Sequence, residues 1–262
     1  MTTEILELKN RAVIRISGPD AKEFLNGLVT NDVTQASDTQ AVYAALLTPQ
    51  GKFFYDMLIT QGSEGLLLDI EAKTKADLLR RLMMYKLRAQ VEITETDLKV
   101  WALFGGEADT GTSFQDPRHK ALHKRVLANT NPAAGANDLP YLKYEERRIR
   151  HGIPDGSRDI LTEKYFWLET NAEALNGVSF SKGCYVGQEL TARMKHRTTL
   201  KKMIVPVELT SGTFETGDAI TTADGSKAGE IRTHSGDYAL AYLKLEHREA
   251  ELKTEGATFR AL

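Results

Sequence analysis

The only cysteine of the 262-residue chain, Cys184, lies in the octapeptide Lys182-Gly183-Cys184-Tyr185-Val186-Gly187-Gln188-Glu189. A thiol two residues from an ammonium, ahead of a segment from Val186 to Met194 that reads as a helix, has two neighbours that favour the thiolate: the cation and the positive helix end. Two glycines allow a tight backbone path. This is the chemistry of a nucleophile or a metal ligand. An inert buried cysteine is the opposite reading, since free cysteines are among the most buried residues, and the spacing alone leaves both open. One cysteine excludes an intramolecular disulfide. It also falls short of the roughly four thiolates that hold an iron–sulfur cluster, so a cluster bound through Cys184 needs ligands from a second chain or from exogenous thiols.

Two other groups of residues invite chemistry. Arg193-Met194-Lys195-His196-Arg197 with Lys201-Lys202 concentrates basic side chains that suit carboxylates or a phosphate backbone. Its plainer reading, favoured for Lys195, Lys201 and Lys202, is a solvated helix face. His119 and His123 are four apart, a metal-chelating spacing on a helix, but no Glu follows the first His and the segment reads partly as strand, so no metal site is expected. No phosphate-binding glycine loop or nucleophile elbow is present.

The elements that must position these residues follow from hydrophobic periodicity. Strands are expected at Ala12–Ile16, at Val42–Leu47 and Phe53–Ile59 around a Thr48-Pro49-Gln50-Gly51 turn, and at Gly65–Ile70. A helix is expected from about Lys73 to Gln90 with Leu78, Leu79, Leu82 and Tyr85 on one face. Further strands are expected at Val91–Thr94, Val100–Phe104 and Leu122–Leu127, with loops at Ala108–Arg118 and Asn129–Asp138 and a charged helix over Leu139–Arg150. From Met203 onward, short alternating runs between Gly-containing turns predict a small antiparallel barrel or sandwich. Strands and helices that do not alternate regularly make the first part α+β. The boundary falls near Arg197–Lys202, giving units 1–198 and 199–262.

Composition limits the function classes. With 34 Lys+Arg against 36 Asp+Glu the net charge is −2, and 41% of the residues are apolar. Such a chain is globular rather than disordered, contains no membrane-length apolar run and presents no global basic field to nucleic acid. Met1 to Asn10 carries neither a basic start nor a long apolar stretch and is too acidic for a transit peptide, so a cytoplasmic protein is expected. No heptad repeat demands a dimer, and a monomer is expected.

The octapeptide, with Ala192-Arg193 after it, resembles the K-G-C-Y-x-G-Q-E-x-x-A-R signature of the YgfZ-type folate-binding proteins, relatives of the glycine cleavage T-protein. Leu28-Val29-Thr30-Asn31-Asp32-Val33, Gly152-Ile153-Pro154-Asp155 and Leu175-Asn176-Gly177-Val178-Ser179-Phe180 are similar to that family too. The likeness runs from about residue 10 to at least 200. It implies a T-protein-like module followed by a small antiparallel β-barrel around a central cavity, and tetrahydrofolate or a derivative as cofactor. The implied role is in assembly or repair of iron–sulfur proteins, including enzymes that modify tRNA.

Carried over residue by residue, Cys184 and Lys182 are the family's thiol and amine, with Gln188 and Arg193 in the same signature. Glu169 of Phe166-Trp167-Leu168-Glu169 stands where T-proteins have a glutamate that grips the pterin, a carboxylate being suited to two parallel N–H donors. Outside the resemblance it reads as a solvated acid. Tyr144, Tyr165, Trp167 and Tyr185 are candidate ring-stacking walls, with core packing the alternative for each. Family members use tryptophan near Arg11 and Tyr144, so Arg11 departs from the pattern. Asp56 stands alone where T-proteins pair two carboxylates, and Lys52 replaces a glycine. This incomplete acid–base arrangement weakens an aminomethyltransferase reading, and Asp56 reads equally as an outward-facing strand residue. The expected function is a folate-binding accessory factor for iron–sulfur protein maturation. A folate-dependent one-carbon transferase and a tRNA-binding module are the alternatives.

Overall fold

The computed structural model describes residues 2–262. Two five-stranded sheets face each other and a closed barrel completes the molecule. The first sheet is antiparallel throughout, in the order Val42–Leu47, Phe53–Gly62, Gly65–Glu71, Arg11–Ser17, Glu92–Glu95. Its strands carry apolar side chains on both faces, so burial alternates between two cores rather than between core and water. Val42, Ala44 and Leu46 pack on the outer side with Leu25, Leu78 and Leu82 from the helices Ala21–Asn26 and Lys75–Lys86. Tyr43, Ala45 and Leu47 face the central core.

The second sheet closes that core from the other side, in the order Asn137–Asp138, Glu4–Glu7, Lys99–Phe104, Lys124–Ala128, Thr112–Gln115. Val100, Ala102, Phe104 and Phe114 point inward, joined by Tyr144 and Ile149 of the helix Tyr141–Arg150. In the barrel, Lys202–Gly212 pairs with Tyr238–Lys244 and with Ala257–Ala261, and Lys227–Ser235, Ala219–Thr222 and Leu252–Lys253 complete the circuit. The barrel has its own core around Val207, Ile220, Ile231 and Phe259. Ile204 and Leu240 reach out of it into the central core. The α+β class and the C-terminal barrel are as the sequence predicts, with closure deciding for a barrel over a sandwich.

Differences occur where pairing partners decide. Thr112–Gln115 and Asn137–Asp138 lie in stretches of loop composition, yet each is a strand because Lys124–Ala128 and Glu4–Glu7 supply the ladder. The helix expected to Gln90 ends at Lys86, since Leu87 takes a positive φ of 43° and breaks the helical path. Tyr85, expected on its buried face, is exposed, whereas Leu78 and Leu82 are buried. Leu122, expected to open a strand, belongs instead to a short 3₁₀ turn, and the strand starts at Lys124.

Candidate functional site

Three sequence-distant segments meet at Lys182, two residues before the cysteine. The Thr30 hydroxyl donates to Gly177 O (2.7 Å) and accepts from Ala45 N–H (2.9 Å), while Asn31 Nδ2 donates to Tyr43 O and Asn176 O. Onto this joint the Lys182 ammonium delivers three hydrogen bonds, to the carbonyls of Asn26 (2.6 Å), Val29 (2.8 Å) and Asn31 (2.8 Å). Burial pulls the Lys182 pKa down to about 8, opposed by Asp32. Its donors are committed to the backbone of the 26–31 loop rather than to the thiol.

Beyond Lys182 the chain is anchored on both sides of the two cores. Tyr185 is buried in the central core and Val186 packs against the outer one. Gly187 has φ +82°, and a Cβ there would stand 2.6 Å from Thr48 O in the Thr48–Gly51 turn. Only glycine allows this approach without strain. The helix Gln188–Arg197 starts at once, fixed by Thr191 Oγ1 donating to Gly187 O (3.1 Å). With Lys182, Tyr185 and Val186 anchored, Cys184 between them is exposed. The buried inert thiol is therefore excluded by the geometry, and Cys184 is open to a partner or an electrophile. Gln188 is half-buried at the helix start, and Arg193 is exposed one turn on.

Glu169 occupies a second position, facing the barrel. Its Oε2 accepts from Phe166 N–H (3.0 Å) and from the Tyr242 hydroxyl (2.9 Å), while Oε1 has no protein donor among the described residues. Burial and Glu169 together push the Tyr242 hydroxyl well above its ordinary pKa. Tyr242 stacks on Tyr165 at 3.8 Å between ring centroids. The pair lines a cavity of 430 Å³ that also receives Lys164, Lys202, Lys227 and Lys244. Glu230 is the one acid of its lining, and Glu169 is tied to the cavity through the Tyr242 hydroxyl. An aromatic wall and four ammoniums fit a folate, whose flat pterin can stack and whose tail ends in carboxylates. Tyr242 and the lysines have no sequence motif. They become a group only when the barrel strands are brought beside the Leu161–Tyr165 segment.

The remaining candidates are inside. Trp167 is buried, donates from Nε1 to Gly177 O (2.9 Å) and stacks on Phe53 at 5.8 Å. Asp56 faces the central core, not solvent, and accepts from the Tyr43 hydroxyl at 3.2 Å. Burial raises its pKa, with Arg11 opposing. Around it lies a buried ionic network that the sequence reading missed. Asp69 accepts from Arg11 Nε (2.7 Å) and from Arg125, whose Nη2 donates to the Tyr144 hydroxyl (3.0 Å). Asp116 holds Arg118 through two bonds of 3.0 and 2.8 Å. Arg11, the departure from the family pattern, is thus a buried cation between the two sheets. In strands, alternating charges signal a wet face, and only the facing sheet reveals otherwise. Cys184, Glu169 and Asp56 do not converge on one point: the first is on the surface, the second at the barrel and the third in the centre.

The basic run divides as well. Lys195 pairs with Glu173, whereas Lys202 lines the barrel cavity. Among the described residues no group of three or more His, Cys, Asp or Glu side chains is arranged to hold a metal ion, and no helix is long and apolar enough to cross a membrane.

Comparison with known proteins agrees with this architecture. Residues 2–110 match the GCVT N-terminal domain family and residues 201–262 the CAF17 C-terminal beta-barrel domain. The chain is 33% identical to the mitochondrial iron–sulfur cluster assembly factor IBA57 of Mus musculus, over 91% of this chain and 77% of that protein. It is 33% identical to the Homo sapiens protein of the same name, over 95% of this chain and 81% of that one. A Neurospora crassa IBA57 homolog is 32% identical over 77% of this chain and 53% of its own length. In fold, the crystal structure of glycine cleavage system aminomethyltransferase T from Bartonella henselae superposes with a TM-score of 0.80 at 14% identity, over all of this chain and 85% of that one.

Proposed function

Because the chain belongs to the family of the IBA57 iron–sulfur cluster assembly factors, we propose that it serves in the maturation or repair of iron–sulfur proteins, with Cys184 as its working thiol. The observation that carries this reading is the exposure of Cys184 on a loop fixed by Lys182, Tyr185 and Val186. A thiolate presented this way can ligate iron at an interface. Since one chain offers one thiol, the other ligands come from a partner protein or from small thiols. We place the chain in the cytoplasm as a monomer of two units, 1–198 and 199–262, with tRNA-modifying enzymes among its clients.

Tetrahydrofolate or a derivative is the proposed cofactor. Glu169 Oε1 would accept from the pterin edge, Tyr165 and Tyr242 would flank the rings, and Lys202, Lys227 and Lys244 would hold the carboxylate tail. When bound, folate carries one-carbon units. The chain's own part is to orient it, with Glu169 directed by its bonds from Phe166 and Tyr242. A transferase reading draws on Asp56, a buried carboxyl of raised pKa, and needs the folate to reach the central core rather than the cavity beside Tyr242, whose lining does not include Asp56. Turnover of an aminomethyl donor with tetrahydrofolate, lowered in Asp56→Asn, would support it. Direct tRNA contact through Arg193 to Lys202 is weaker, because Lys195 is already paired.

Two measurements test the proposal. In a strain lacking the protein, the wild type restores cluster-enzyme activity and Cys184→Ser does not; full rescue by Cys184→Ser refutes the role of the thiol. By calorimetry, tetrahydrofolate binds the wild type and Cys184→Ala but not a folded Glu169→Ala, and absence of binding to the wild type removes folate from the account.

A further inference from the structure

The helix Tyr141–Arg150 buries one face against the central core and turns its other face to a cavity of 630 Å³, well within the roughly 300–1,000 Å³ of small-molecule sites. Lys143, Arg147, Arg150, His123 and His151 line it, with Glu146 the one acidic side chain and with Leu262, the last residue of the sequence, whose main-chain oxygen already accepts from Arg248, at its edge. The buried arginines are treated differently: Arg11, Arg118, Arg125 and Arg148 each have an acid within 3 Å. Among the described residues, Lys143 and Arg147 have no hydrogen-bond or ion-pair partner, and Arg150 has only Glu146 at 3.7 Å.

The cations are held in place by rings. Arg147 lies over Phe104 at 4.2 Å and Arg150 over Tyr238 at 4.6 Å, arrangements that fix a guanidinium without consuming its N–H donors. His151 stacks on His119 at 4.4 Å between centroids, and His123 packs edge-on against Phe104 at 4.7 Å. Burial and the neighbouring Arg147 hold the His123 pKa down. Cations gathered this closely repel one another, and an anion of several oxygens among them would relieve that repulsion while using the free donor forks.

We infer that this cavity is a binding site for a small multiply charged oxyanion, a polyphosphate or a polycarboxylate. None of its lining residues lines the cavity beside Tyr242 or belongs to the Cys184 loop, and it does not depend on the function proposed above. Calorimetry on the full chain at low ionic strength, with inorganic pyrophosphate and with citrate as separate probes, is the test. The expected result is one saturable site, at least tenfold weaker in Arg147→Gln/Arg150→Gln, about threefold weaker in the exposed substitution Lys143→Gln and unchanged in Lys202→Gln/Lys244→Gln. Pyrophosphate alone binding assigns a phosphate ligand, citrate alone a carboxylate. Saturable binding of neither probe overturns the inference, as does binding that Lys143→Gln and a normally folded Arg147→Gln/Arg150→Gln leave unchanged.

Discussion

Asp56 and Asp155 feel one another's charge at the centre of the protein, and their surroundings drive them in opposite directions. Burial raises the pKa of Asp56 more than Arg11 lowers it, whereas at Asp155 the pull of Arg148, Arg11 and Arg158 outweighs burial and its pKa is lowered. The sign of the stability effect follows. A carboxyl whose folded pKa lies above its unfolded one holds its proton more tightly when folded, so it costs stability as pH rises from about 4 through the folded value. Asp56→Asn keeps an acceptor for the Tyr43 hydroxyl and removes that cost. Its melting temperature relative to wild type is expected to rise between pH 5 and pH 8; a difference that stays flat would show that Asp56 ionises freely in the fold. The octapeptide announced Cys184 in the sequence, but the bonding of Lys182 was hidden. Its three acceptors are backbone carbonyls more than 150 residues away, which no side-chain pattern encodes.

At the scale of elements, the loop before the Gln188–Arg197 helix is held by contacts at both ends. Lys182 secures it to the 26–31 segment and Gly187 to the Thr48–Gly51 turn. Lys182→Met keeps the aliphatic stem and removes the donors. Charge-assisted hydrogen bonds contribute about 1.5–3 kcal/mol each, so the variant is expected to lose roughly 2 kcal/mol in denaturant unfolding, after partial relief of the buried charge. Faster proteolysis within 178–188 should accompany it, whereas an unchanged midpoint would mean that Tyr185 and Val186 suffice as anchors. Continuous apolar runs on either side of the Thr48–Gly51 turn made the first sheet readable, and alternating runs between Gly-containing turns the barrel. Thr112–Gln115 and Asn137–Asp138 were not readable, being short polar strands formed by the edges they join.

For the whole molecule, Arg148 is where helix, loop and barrel are tied together. It donates to Glu145 and Asp159, to the Ile153 carbonyl and to the Thr233 hydroxyl on a barrel strand. Arg148→Met leaves Asp159 buried without its cation and Glu145 with Arg158 alone, and removing one partner of a buried pair costs about 3–5 kcal/mol. Loss of cooperativity between barrel and sheets in thermal unfolding should follow; a single sharp transition at the wild-type temperature would contradict this role. The resemblance anticipated the T-protein-like module and the barrel, but not the ionic centre, because Arg11, Arg118, Arg125 and Arg148 are scattered along the chain and find their acids only once the two sheets and the barrel have packed. The candidate groups divide by position: a buried charged interior, a cavity at the barrel and a single thiol on the surface. The most direct test is anaerobic reconstitution with iron, sulfide and glutathione, read by the thiolate-to-iron absorption that co-elutes with the protein. The account predicts a bound cluster with the wild type and none with a folded Cys184→Ser; equal incorporation in both would contradict it.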